Sequence, residues 1–432
     1  MTTLPRRTLT AATLVAALLA TAALPATAHG GGSGSGSRWN GAWTAAVQRP
    51  STNFYPNWSE QGFDHHSVRQ VVRMSADGSA LRIRVSNAYG TTPLRLTGAS
   101  VARSGDGAAV KPATLRTVRF AGAASVAVPA GAKAVSDAVP LPVRAGERLT
   151  VTLYFAGATG PATYHDLAQG TFAYRASGDH LRATGAGAYT ETSKSWYYLE
   201  GVEVAGLPAR SAVAAFGDSI TDGYGATEGA DERYPDQLSR RLAAEGRPRP
   251  VLNTGIGGNR ILNDSACFGE KATARFARDV LDQPRVGTVI VLEGTNDLLF
   301  GYMDPTYFPC SLPNARPTAA DLIEGHRALI RAAHAKGIRV VGGTMIPMKG
   351  SKAAPQYPAE AFAPMEAVRD EVNAWIRTSG AYDAVVDFDR ALADPAPGNE
   401  DLLNPAYDFG DGLHPNSAGY AAMARAVDPN AL

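Results

Sequence analysis

Cysteine is almost missing: the 432 residues contain two, Cys267 and Cys310. Two thiols with no neighbouring histidine pair exclude a structural zinc site, which needs four ligands. They leave one disulfide, the expected state in an oxidising compartment, or two unpaired buried thiols. An excess of charge of one sign is missing too. The 41 Lys and Arg stand against 40 Asp and Glu, without a long run of either, so nothing in the sequence calls for a nucleic acid or other polyanion as partner. Beyond residue 24 there is no apolar run long enough to cross a bilayer. Before it, residues 1–7 form a basic lead, 9–24 an apolar stretch and Ala26-Thr27-Ala28 a small-x-small site. That stretch is short and Ala-rich against about 30 Å of hydrocarbon, so a cleaved export signal over 1–28 is expected rather than a membrane anchor. Arg6-Arg7 is compatible with twin-arginine export. The expected protein is secreted and extracellular, with no stable membrane insertion.

What is present is globular. Hydrophobic residues make up 45% and charged ones 19%, and the length asks for at least two domains. A Gly/Ser-rich segment at 29–37 reads as a flexible lead. From 38 to 205 the pattern is β. Leu81, Ile83 and Val85 alternate with Arg82, Arg84 and Ser86, while Leu149, Val151, Leu153 and Phe155 alternate with Thr150, Thr152 and Tyr154. Further β-like runs at 67–74, 94–102, 115–120 and 196–204, separated by Gly, Asp and Pro turns, imply a β-sandwich of jelly-roll type. From 206 to 432 the rhythm changes. Short apolar runs at 213–216, 251–253, 288–292, 339–343 and 384–387 alternate with helical stretches such as 234–245 and 319–336. That order predicts a parallel sheet covered on both faces, with ligands outside the carboxyl ends of its strands.

Four segments follow those strands or lie near the chain's end. Phe216-Gly217-Asp218-Ser219-Ile220-Thr221-Asp222-Gly223 places Ser219 where an apolar strand turns into the next segment. Alone it is equally a helix N-cap serine. Asn253-Thr254-Gly255-Ile256-Gly257-Gly258-Asn259 offers backbone N–H groups with no Cβ in the way. It is not a dinucleotide fingerprint, because Arg260 stands where the third glycine belongs. Gly294-Thr295-Asn296-Asp297 supplies a side-chain amide. In Asp411-Gly412-Leu413-His414-Pro415 a carboxylate and an imidazole lie three residues apart, and Pro415 disfavours helix at His414. His326 and His334 fall in a helical stretch and read as packing or surface residues. Asp218, Asp222 and Asp297, with Asp411 and His414, invite a metal reading. No HExxH or paired-histidine spacing supports it, and the carboxylates are expected to bind backbone N–H groups instead. GxSxG is missing as well, which disfavours a standard α/β-hydrolase lipase.

These segments, in this order, resemble the GDSL/SGNH hydrolase superfamily from roughly Ala212 to the C-terminus. The resemblance implies a flavodoxin-like three-layer α/β/α domain and a serine esterase working through an acyl-enzyme, with neither cofactor nor metal. It makes Ser219 the nucleophile, His414 the base and Asp411 its orienting partner. Gly258 (with Gly257 as the neighbouring candidate), Asn296 and the Ser219 N–H become oxyanion donors. The chemistry agrees, since a serine hydroxyl needs a base and histidine titrates in the right range. Asn259 and Arg260, beside the oxyanion donors, either contact substrate or cap structure. Tyr302, Met303, Tyr307 and Phe308 either wall a pocket or pack on their own domain. The β part is similar to modules that precede such domains in secreted bacterial enzymes. The expected substrates are small-molecule or polysaccharide esters, with short acyl or aryl-acyl groups such as acetyl or feruloyl. The alternatives are a lipase or phospholipase, or a carbohydrate-binding protein with an inactive hydrolase domain, using Trp39, Trp43, Trp58 or Trp196.

Overall fold

Alternating strands build two large antiparallel sheets, with two small two-stranded ones, before the parallel sheet begins. The computed structural model describes residues 1–2, 39–52, 55–167, 169, 173–206, 210–352 and 359–432. The expected export signal beyond residue 2 and the Gly/Ser lead therefore lie outside the described residues. One sheet has the order Trp39–Thr44, Leu199–Ala205, Ala80–Ser86, Lys133–Val135. The other runs Glu191–Ser193, Ala173–Ser177, His66–Arg73, Arg148–Phe155, Gly98–Arg103, Arg116–Val118. Leu81, Ile83 and Val202 from the first meet Val68, Val151 and Leu153 from the second in one core.

The first sheet's other face departs from the alternation. Arg84 and Ser86 are buried rather than solvated. Arg84 pairs with Glu203 at 3.3 Å and also bonds Gln283, while the Gly41 N–H reaches the Pro284 carbonyl at 3.5 Å. That face packs on the α/β part, so its polar residues make internal ion pairs and hydrogen bonds. A Cβ at Gly41 would stand 2.9 Å from the tip of the Leu252 side chain, which would have to shift to admit it.

Five parallel strands follow in chain order: Ala212–Gly217, Val251–Gly255, Val286–Leu292, Arg339–Gly343 and Ala384–Val386. Their order in the sheet is second, first, third, fourth, fifth, the flavodoxin-like arrangement. Alternate residues feed two separate cores. Ala214, Phe216, Val289 and Val291 face the helices Ala319–His334 and Ala359–Thr378. Val213, Ala215, Ile290 and Leu292 face the helices Tyr234–Ala244 and Ser417–Ala426. Burial on both faces is why these strands read as continuous apolar runs. Among the described residues no helix is long and apolar enough to cross a membrane.

The helix Ala319–His334 starts with a capping box between Thr318 and Asp321. His334 is exposed beside Asp383, whereas His326 is buried, with Nδ1 2.7 Å from the Tyr382 hydroxyl. Burial lowers His326 to about 4. As pH falls below about 6.5 the unfolded chain takes up a proton here and the folded one does not until about 4. Stability is therefore lost across that window, by roughly 3 kcal/mol in all. His326→Asn should lose correspondingly less between those pH values in urea unfolding. Equal acid sensitivity in both proteins would remove His326 as a cause.

Candidate active site

The first parallel strand ends at Gly217, where a side chain would collide with the Leu292 carbonyl and the Thr221 side chain. The Asp218 carboxylate caps the next turn by accepting from the Ile220 N–H at 2.9 Å, and Ser219 opens that turn. Ser219 Oγ lies 2.9 Å from His414 Nε2. His414 Nδ1 lies 2.6 Å from Asp411 Oδ2, and Asp411 Oδ1 accepts the backbone N–H groups of His414 and Leu413 at 2.8 and 3.0 Å. Burial alone would raise Asp411. The bonds from His414 and the backbone outweigh it and hold the carboxyl below its ordinary value. The chain thus runs hydroxyl, imidazole, carboxylate, with both ring nitrogens engaged.

Gly257 and Gly258 follow the second strand and line the same cleft. Gly258 sits at φ 73°, and a Cβ there would run into the Phe268 ring. Asn296, after the third strand, completes the group. Its Nδ2 donates to the Asn259 carbonyl at 3.1 Å and to Asp218 Oδ2 at 3.3 Å. Both amide hydrogens are therefore engaged in the free protein. The Asp218 bond exceeds the usual N–H···O range and is the one that can yield to a bound oxyanion. Burial pushes the Asp218 carboxyl up to about 7.

The side chains of Asn259 and Arg260 turn away from the cleft. Asn259 donates to the carbonyls of Phe268 and Glu270 and accepts from Arg275. Arg260 is spent on the Asp264, Ser311 and Pro313 carbonyls and on Asn314 Oδ1. Of the two roles open to this pair from sequence, the geometry gives them the structural one. The three other acidic residues are also committed separately: Asp218 as above, Asp297 to the Ile261 and Leu262 N–H groups, and Asp222 to His165.

The cleft has a volume of about 150 Å³. Its walls include Phe268, Leu299, Phe300, Met303 and Phe308, so two of the four loop residues named from sequence reach it, while Tyr302 and Tyr307 do not line it. A disulfide joins Cys267 to Cys310, Cα to Cα 5.6 Å, across a separation of 43 residues. A loop of that length contributes roughly 4 kcal/mol through the entropy of the unfolded chain. The crosslink lies directly beside the stacked rings of Phe268 and Phe300, 5.2 Å between centroids, so it braces the aromatic wall. Sequence reasoning missed Phe268, Leu299 and Phe300, although helical spacing from Asn296 foretells the last two. It also missed Tyr224, whose ring centroid is 4.6 Å from that of His414, and it missed Asp166 and Leu167, which enter from the antiparallel part.

Residues 215–422 match the GDSL-like Lipase/Acylhydrolase family. Among solved structures, a GDSL-like lipase from Bacteroides thetaiotaomicron is 17% identical, with 51% of this chain and 87% of that one covered and a TM-score of 0.37. An acetyl xylan esterase from Geobacillus stearothermophilus, solved as a variant, is 21% identical, with 50% and 93% covered and a TM-score of 0.35. An alpha/beta hydrolase from the metagenome of Lake Arreo, Spain, is 21% identical, with 51% and 94% covered and a TM-score of 0.36. No curated protein matches the chain in sequence.

Proposed function

We propose, for a chain whose residues 215–422 belong to the GDSL-like lipase/acylhydrolase family, that this carboxylic ester hydrolase acts on short-chain acyl or aryl esters through an acyl-enzyme on Ser219. The observation that carries the reading is the unbroken chain from Ser219 Oγ through His414 to Asp411. His414 Nε2 takes the hydroxyl proton as Oγ attacks the ester carbonyl carbon. Asp411 holds Nδ1–H and stabilises the imidazolium. The carbonyl oxygen, now an alkoxide, is met by the N–H groups of Ser219 and Gly258 and by the Asn296 amide, each contributing about 3–4 kcal/mol at the transition state. Collapse breaks the bond to the alcohol, which leaves with the proton from His414. Water then attacks the acyl-enzyme with the same base and releases the acid. Every proton and electron pair is accounted for without a cofactor.

Cleft size and lining support short or flat acyl groups. About 150 Å³ is half or less of the roughly 300 Å³ at the small end of ligand pockets, and the walls are apolar and aromatic. Export fits the basic-apolar-small pattern of residues 1–28 and the presence of a disulfide. Of the four tryptophans named for the carbohydrate-binding alternative, Trp43, Trp58 and Trp196 are buried, and Trp39 is part-exposed with the Arg82 guanidinium over its ring. The test is a p-nitrophenyl ester series from acetate to decanoate. We expect kcat/KM to peak between acetate and butyrate and to fall about a hundredfold by decanoate. A maximum at long chains would favour the lipase reading instead.

A further inference from the structure

The antiparallel part reaches the nucleophile. Directly after the strand Tyr164–His165, Asp166 and Leu167 line the cleft that holds Ser219 and His414. This segment is clamped in place. The Asp166 N–H donates to Gln48 Oε1 at 2.9 Å, and its carbonyl accepts from Ser195 Oγ at 2.5 Å. His165 is buried with Nδ1 2.7 Å from the Ala46 carbonyl and Nε2 3.1 Å from Asp222 Oδ1. Burial opposes charge on His165, but Asp222 and the Ala46 carbonyl outweigh it and raise the imidazole above its ordinary value. Asp222 ends the turn that Ser219 opens, so its bond to His165 fixes Asp166 relative to the nucleophile.

The Asp166 carboxyl itself is left uncommitted. The residue is only 7% exposed, and Oδ1 is buried without a hydrogen-bond partner among the described residues. Burial pushes the group up to about 7 although the neighbouring His165 pulls it down. A buried acceptor without a donor costs stability, and an apolar residue here would avoid that cost. Asp166 as a residue nevertheless lines the cleft beside the nucleophile, where a bound substrate can bring a donor to its carboxyl. The carboxyl accepts from a hydroxyl in either protonation state. Asp166 and Tyr224 line the same cleft, and Tyr224 packs on His414, which returns the proton to the departing alkoxide.

We infer that Asp166 is a specificity-determining residue, accepting a hydrogen bond from a free hydroxyl on the alcohol half of the ester, so that the β-sandwich completes the substrate site. This role rests on the ester-hydrolase reading above. The discriminating pair is 2-hydroxyethyl acetate and n-propyl acetate, alike in size and differing by hydroxyl against methyl. The readout is the ratio of their kcat/KM values in wild type, Asp166→Ala and Asp166→Asn, with Tm for each protein. The ratio should favour the hydroxyl ester in wild type and fall about tenfold or more in Asp166→Ala. Asp166→Asn, which keeps an acceptor oxygen, should retain most of it, and neither variant should melt below wild type. A ratio unchanged by both substitutions, with Ser219-dependent turnover intact, overturns the role of Asp166 alone. A parallel loss on both esters with a lowered Tm does the same and makes Asp166 structural. If the wild type shows no Ser219-dependent turnover of these acetates or of p-nitrophenyl acetate, the ester reading falls and takes this role with it.

Discussion

Ser219→Ala is expected to lower kcat on p-nitrophenyl acetate by about 10⁵-fold while KM changes only a few-fold. The hydroxyl is the atom that bonds to carbon, and it is the group that His414 Nε2 meets at 2.9 Å. His414→Ala should cost about as much, because without a base the hydroxyl keeps its proton. The double variant should be no worse than either single one, since groups that act as one unit lose their effect together. Asp411→Asn should lose roughly 10⁴-fold. An amide facing Nδ1 favours the wrong tautomer, and it cannot accept as the carboxylate does from the ring and two backbone N–H groups. A pre-steady-state burst of nitrophenol in wild type, missing from Ser219→Ala, would show the acyl-enzyme directly. Two results would count against the scheme: more than about 1% of kcat left in Ser219→Ala, or losses at Ser219 and His414 that multiply in the double variant.

Ser219, Asp411 and His414 were named through the resemblance of their segments to a family, since Ser219 alone reads equally as a helix N-cap. The Asp411–His414 pair is local, but Ser219 meets His414 across 195 positions. The parallel sheet was legible from its pattern. Residues 213–216 and 289–292 are apolar on both faces, as burial on both sides requires. Where side chains turn was much less readable. Asn259 and Arg260 adjoin Gly258 in sequence, yet the positive φ at Gly258 and the demands of Arg275 and the Ser311 carbonyl swing them away from the cleft. Arg84 alternates as a solvated residue should, and only the α/β part packed against its sheet makes it internal. Asp166 is the extreme case. It stands 53 positions before Ser219, in a different sheet system, and no periodicity or motif marks it.

Arg275→Met is expected to destabilise the protein by about 4 kcal/mol, for reasons that tie stability to the site. The Arg275 side chain has no solvent exposure, and its guanidinium lies 4.0 Å from the centre of the Phe216 ring. Nη2 donates to the Gly217 carbonyl at 2.8 Å, Nη1 to the Thr254 carbonyl at 2.7 Å and Nε to Asn259 Oδ1 at 2.8 Å. These partners sit at the carboxyl ends of the two strands that lead to Ser219 and Gly258. The remaining contacts go to Asp279 at 3.1 Å and to Glu293 at 3.2 Å, just before the Asn296 segment. One cation therefore links all three strand ends around the cleft. Removing it leaves Glu293 fully buried, with one oxygen already lacking a partner among the described residues. Burial holds the Glu293 carboxyl well above its ordinary value even with Arg275 present. Breaking a buried pair by deleting one partner costs about 3–5 kcal/mol, against a total stability of roughly 5–15. Urea unfolding midpoints of the two proteins measure this. Arg275→Met combined with Glu293→Leu should recover part of the loss, since the stranded carboxyl is gone. If Arg275→Met alone is neutral, or the double variant falls further than the single one, the uncompensated charge is not what holds these strand ends together.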